Sequence, residues 1–95
     1  MSKARPIEVL PAPSDEELKK IKSTWGTWGC GVSKFPWTYS DDETAYLLEG
    51  EVTVTPDDTS LPAVTLKASD YVLFPKDMSC TWDVTKAINK HFNFG

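Results

Sequence analysis

Three side chains of this chain have the chemistry of a reaction centre: the carboxyl of Glu43, the amine of Lys90 and the thiol of Cys80. An acid and an amine held together can exchange protons with a substrate, or they can form a buried ion pair that fixes geometry. A thiol beside a cation such as Lys90 becomes a nucleophile; without activation Cys80 is a small buried hydrophobe. Aromatic residues surround these groups in strand-like alternation. Residues two apart share one face of a strand. Phe35, Trp37 and Tyr39 therefore make one row, Cys80 and Trp82 a second, and Ile88, Lys90 and Phe92 a third. Trp37, Tyr39 and Trp82 then either stack on a flat or cationic ligand or simply fill a core.

The elements that must position these groups are short strands. Pro11-Ala12-Pro13 is a stiff, extended lead-in. Ser14-Asp15-Glu16-Glu17 has the pattern of a capping box. Acidic residues come first and Lys19, Lys20 and Lys22 last, in accord with the helix dipole. This predicts a helix over about 15–22, too short to stand alone and therefore docked on a sheet. From there the period becomes two. Strands are expected near 24–32, 34–39, 43–48, 51–55, 63–67, 71–74, 79–84 and 88–94, with Glu49-Gly50 read as a tight hairpin. Some eight short strands with turn residues between them indicate a sandwich or barrel. Trp25 and Trp28 precede the main strands and are expected to pack the helix or a subunit contact. Cys30 is expected to be structural.

Ninety-five residues make one domain, small enough that a partner subunit would help it bury surface. Ten basic and fourteen acidic residues give a net charge of −4. No basic run carries interleaved aromatics, which argues against nucleic-acid binding. Two cysteines 50 residues apart read as free thiols. No apolar run reaches the ~20 residues of a membrane span, and Met1–Leu10 lacks the apolar centre of a signal peptide. The expected location is the cytoplasm, without a membrane partner.

Two spacings point to a family. Gly31-x5-Trp37-x-Tyr39-x3-Glu43-x6-Gly50 follows the motif G-x5-H-x-H-x3-E-x6-G, and Ser69-x5-Pro75-x-Asp77-x2-Cys80 follows G-x5-P-x-G-x2-H. These are the two motifs of the cupin superfamily, with every histidine replaced. The chain resembles the small, single-domain (S)-ureidoglycine aminohydrolase-like cupins through Lys34-Phe35-Pro36-Trp37-Thr38-Tyr39, Tyr46-Leu47-Leu48-Glu49-Gly50-Glu51-Val52, Asp70-Tyr71-Val72-Leu73-Phe74-Pro75, Cys80-Thr81-Trp82-Asp83-Val84 and Lys90-His91-Phe92.

The resemblance implies an all-β double-stranded β-helix, the cupin jelly-roll barrel, with one short N-terminal helix and a pocket at one mouth. Residues 1–13 would form an extended lead and residues 14–95 the cupin domain. It also implies a homodimer. Short members of the group have no assigned reaction, and the namesake aminohydrolase is a longer two-cupin protein that uses manganese. Its metal ligands include histidines at motif positions that here hold Trp37, Tyr39 or Cys80, so no metal or other cofactor is expected. In such a barrel Trp37, Tyr39, Glu43, Cys80, Trp82 and Lys90 would converge in one pocket beside Phe35. His91 would face outward, as a surface or subunit-contact residue. Three functions fit: binding of a small nitrogenous or carboxylated metabolite; a hydrolase or isomerase acting on a ureide-like or carboxylated molecule through Glu43 and Lys90; or an interaction module with a vestigial pocket.

Overall fold

The structure is a computed structural model and is described for residues 5–94. Along the chain the elements are β1 (Glu8–Leu10), α1 (Asp15–Thr24), β2 (Gly26–Cys30), β3 (Ser33–Thr38), β4 (Glu43–Pro56), β5 (Val64–Lys67), β6 (Tyr71–Phe74) and β7 (Ser79–Phe94). All strand pairs are antiparallel.

Two long strands organise the molecule. β4 and β7 pair along their whole lengths, from Glu43 opposite Phe94 to Pro56 opposite Cys80. One half of this ribbon continues into β6 and β1 on one side and β2 on the other; the other half is flanked by β5 and β3. The ribbon thus serves two sheets, and the sheets enclose one core. Ala45, Val72 and Ile88 from the first meet Val52, Leu66 and Val84 from the second, all buried. This is the all-β jelly-roll that the sequence predicts.

The bend in the ribbon corrects one expectation. Glu49-Gly50 is not a hairpin, because β4 runs straight through it, and the strands expected at 79–84 and 88–94 are likewise one strand, β7. The register with β7 slips between Leu47 and Glu49, between Glu49 and Glu51, and between Glu51 and Val52. Such bulges bend a strand and re-aim its side chains. Before the bend Glu43, Ala45 and Leu47 face the core; after it Val52 and Val54 do. Gly50 has φ 94°, and a Cβ there would lie 2.2 Å from the Ala87 carbonyl oxygen. Only glycine lets β4 cross β7 this closely.

Helix α1 begins as predicted, with the Ser14 hydroxyl accepting the Glu17 amide at 3.2 Å. It extends to Thr24, whose hydroxyl donates to the Lys20 carbonyl at 2.6 Å. Ile21 is its one buried residue, and Trp25 at its C-cap rests on Tyr71 with ring centres 6.2 Å apart. Tyr71, Tyr46 and His91 are successive partners across β6, β4 and β7, so the helix end lies over the outer face of the first sheet. The lead is extended and carries β1 onto β6, and Ile7 joins the core. Residues 1–4 of the lead lie outside the described residues. Among the described residues no helix is long and apolar enough to cross a membrane.

Candidate functional site

A cavity of about 170 Å³ lies between the two sheets on the β2–β3 side, lined by Trp28, Phe35, Trp37, Tyr39, Glu43, Trp82, Lys90, Phe92 and Phe94. Each wall follows from strand parity and register. Phe35 sits opposite Trp82 across β3 and β7, and their rings stack at 6.2 Å. Trp28 sits opposite Lys90 across β2 and β7 and so shares its face. Tyr39 follows the end of β3 and stacks on Phe74 at 4.9 Å, with planes 8° apart. Trp37, half exposed at the mouth, meets Tyr39 edge-on at 6.5 Å.

The charged pair lies in the wall of this cavity. Lys90 Nζ donates to Glu43 Oε2 at 2.5 Å, and both side chains are buried. The ammonium also lies 4.8 Å from the centre of the Trp82 ring, 5.2 Å from Trp28, 5.8 Å from Phe92 and 5.9 Å from Phe74. Aromatic faces attract cations at such distances. Of the three rings anticipated around a cationic guest, Trp37, Tyr39 and Trp82, only Trp82 lies within this range of a cation among the described residues, and that cation is the protein's own Lys90. Burial lowers the Lys90 pKa below its ordinary value, against the opposing pull of Glu43. Tyr39 is the complementary neutral group: burial, with the nearby charge of Glu43, pushes its phenol far above the usual range, and its oxygen accepts the Trp82 indole N–H at 3.1 Å.

Six of the seven predicted residues meet in the cavity: Phe35, Trp37, Tyr39, Glu43, Trp82 and Lys90. Cys80 does not. It faces the interior, as alternation requires, but its thiol is packed into the core and approaches the Trp37 carbonyl at 3.6 Å. Burial, with the charge of Asp57 next in size, pushes its pKa up to about 11, so the thiol stays protonated and its nucleophilic reading is not supported by its surroundings. Sequence reasoning missed Trp28, Phe92 and Phe94 as walls. Phe92 and Phe94 carried a usable signal, since they share the parity of Lys90. His91 faces away from the cavity as expected, yet it is buried, and its Nδ1 has no hydrogen-bond partner among the described residues.

The metal that a cupin frame implies does not suit these residues. Glu43 is held by the Lys90 ammonium, which would repel a second cation. The Tyr39 oxygen carries its proton and serves Trp82, and Cys80 is turned into the core. Among the described residues no three His, Cys, Asp or Glu side chains are grouped as metal donors.

Residues 19–92 match the EutQ-like cupin domain family. The chain belongs to that family. This EutQ-like cupin is similar over most of its length to a DUF861 family protein from Thermotoga maritima, with 37% identity, a TM-score of 0.81, and 94% of this chain and 97% of that one covered. It shares its fold with a putative ethanolamine utilization protein Q from Salmonella typhimurium, at 23% identity and TM-score 0.62, with 90% of this chain and 64% of that one covered. The EutQ protein of Clostridium difficile is similar at 18% identity, TM-score 0.62 and the same coverage. The EutQ-like cupin thus spans slightly under two thirds of those two chains. No functionally curated protein matches the sequence.

Proposed function

We propose that this EutQ-like cupin binds a small, flat, uncharged metabolite in its barrel cavity without a metal. The observation that carries this reading is the buried Glu43–Lys90 pair in the wall of an aromatic cavity. About 170 Å³ is below the ~300–1,000 Å³ of drug-sized sites, so the ligand is small. The ammonium already inside the box disfavours a cationic ligand. A carbonyl oxygen can accept from Lys90 while an N–H donates to Glu43; an amide or ureido group offers both, which connects the reading to the ureidoglycine aminohydrolase-like cupins. The aromatic walls, with the stacked Phe35 and Trp82 rings edge-on to Trp28, offer faces and edges that suit a planar group. We also place the protein in the cytoplasm as a homodimer, with the partner subunit covering part of its exposed apolar surface.

Thermal denaturation of chelator-treated protein with a panel of small ureas, amides and carboxylic acids tests this reading. The panel should contain an amide or urea that raises the melting temperature in a dose-dependent way. A flat response across the panel contradicts it and leaves an interaction module with an idle pocket.

A second reading is supported by one observation, the direct contact of Glu43 and Lys90 inside the cavity. The pair can act as proton donor and acceptor in a hydrolase or isomerase acting on a ureide-like or carboxylated small molecule. Turnover of a panel ureide by wild type, and its loss in Glu43→Gln with retained fold, would favour it over simple binding.

A further inference from the structure

We propose that Lys90 forms a reversible imine with small uncharged aldehydes that enter the cavity. The proposal rests on the reading of the cavity as a small-molecule site and adds a covalent activity to it.

Lys90 is the only buried lysine among the described residues; the others in that range are exposed. Lys90 lines the cavity, and among the described residues its Nζ makes one hydrogen bond, to Glu43. A lysine becomes a carbonyl nucleophile when it is desolvated in an apolar pocket, and the walls here are almost wholly aromatic. Burial lowers the Lys90 pKa, which favours release of the proton that blocks the lone pair. Glu43 Oε2 at 2.5 Å is placed to receive that proton.

The steps balance within the site. Lys90 passes a proton to Glu43, and the free amine adds to the carbonyl carbon as the carbon–oxygen π pair moves to oxygen. The new nitrogen cation loses a proton to that oxygen, giving a carbinolamine. Glu43 returns its proton to the hydroxyl, water leaves, and the nitrogen lone pair forms the C=N bond. Ammonium and aldehyde have become a protonated imine and water, with Glu43 again a carboxylate. The cation that starts as the Lys90 ammonium ends on the same nitrogen as the iminium. The rings of Trp82, Trp28, Phe92 and Phe74 that surround the ammonium therefore also surround the iminium. Among the described residues no second cation lines the cavity, so a 2-oxo acid would bring an uncompensated carboxylate; neutral aldehydes are the favoured class.

The test is reductive trapping on wild-type protein. Propionaldehyde or benzaldehyde is added with cyanoborohydride, which reduces the iminium to a stable secondary amine, and the site is located by peptide mass spectrometry. The expected result is a single saturable adduct at Lys90, formed before any exposed lysine is modified, because Lys90 alone is desolvated beside a proton acceptor. Adducts spread over the exposed lysines, with Lys90 unmodified, overturn the proposal. Benzamide, which has the shape of benzaldehyde but resists imine formation, is run in parallel by thermal shift. Stabilisation by benzamide without trapping at Lys90 sinks the imine and leaves the binding site standing; no trapping and no benzamide shift count against both.

Discussion

The Lys90 ammonium reaches Glu43 along the inner face of the first sheet rather than straight across it. The direct partner of Lys90 on β4 is Leu47, and that of Glu43 on β7 is Phe94. The lysine side chain lies beneath the aromatic rings to make its 2.5 Å contact, so each charge depends on the other for compensation in a dry wall.

That dependence sets the first prediction. Lys90→Met leaves Glu43 buried without a partner and should cost about 3–5 kcal/mol. The double variant Glu43→Leu/Lys90→Met should be less destabilised than the sum of the two single variants, because no lone charge remains. Urea denaturation of the four proteins of this cycle measures it; additive losses would mean the pair is not coupled.

The second prediction concerns alkaline pH. Cys80 has a folded pKa of about 11, raised above the 9.0 of an ordinary thiol. The folded state holds its proton where the unfolded state releases it, so the stabilisation is full below pH 9 and falls away as pH rises toward 11. Two units correspond to roughly 2–3 kcal/mol. Denaturation midpoints across pH 8–11 should fall more steeply for wild type than for Cys80→Ala. Comparing the two proteins cancels the opposite trend from Lys90, whose lowered pKa makes stability rise with pH up to the unfolded value, and the fall contributed by Tyr39 above pH 10.

The burial that governs Cys80 also predicts its reactivity. Native protein should show one fast-reacting thiol, the half-buried Cys30, and one protected thiol, Cys80. An aromatic disulfide reagent should titrate both only after unfolding. Rapid labelling of Cys80 in native protein would restore it as a nucleophile.

Much of this architecture is legible in the sequence because strand parity and motif spacing are local. Trp37, Tyr39 and Glu43 lie where the degenerate frame puts them, and the parity of Lys90 with Ile88 and Phe92 turns it inward. Parity gives direction but not depth. Cys80 and Trp82 both face in, yet only Trp82 reaches the cavity. Trp28 became a wall through its register with Lys90, and register between distant strands cannot be read from one strand alone. Gly50 shows the same limit: a glycine after Glu49 serves a hairpin or a bulge equally well, and only the unbroken pairing of β4 with β7 decides it. Outward-facing His91 is buried because other residues cover its side of the sheet, which alternation does not report.

The bulge itself is testable. Gly50→Ala combines a left-handed backbone with a Cβ 2.2 Å from the Ala87 carbonyl oxygen. It should destabilise by about 2 kcal/mol or more, seen as a lower urea midpoint. A loss of a few tenths would show that β4 can pass β7 without glycine.

The four tryptophans supply the most direct test of the cavity. Trp28, Trp37 and Trp82 line it, while Trp25 lies against Tyr71 outside. In a ¹H–¹⁵N spectrum of chelator-treated protein, benzamide should shift the indole N–H signals of Trp28, Trp37 and Trp82 and leave that of Trp25 in place. Four unmoved signals, equal movement of Trp25, or shifts that appear only after a divalent metal is added would contradict a metal-free binding site between the two sheets.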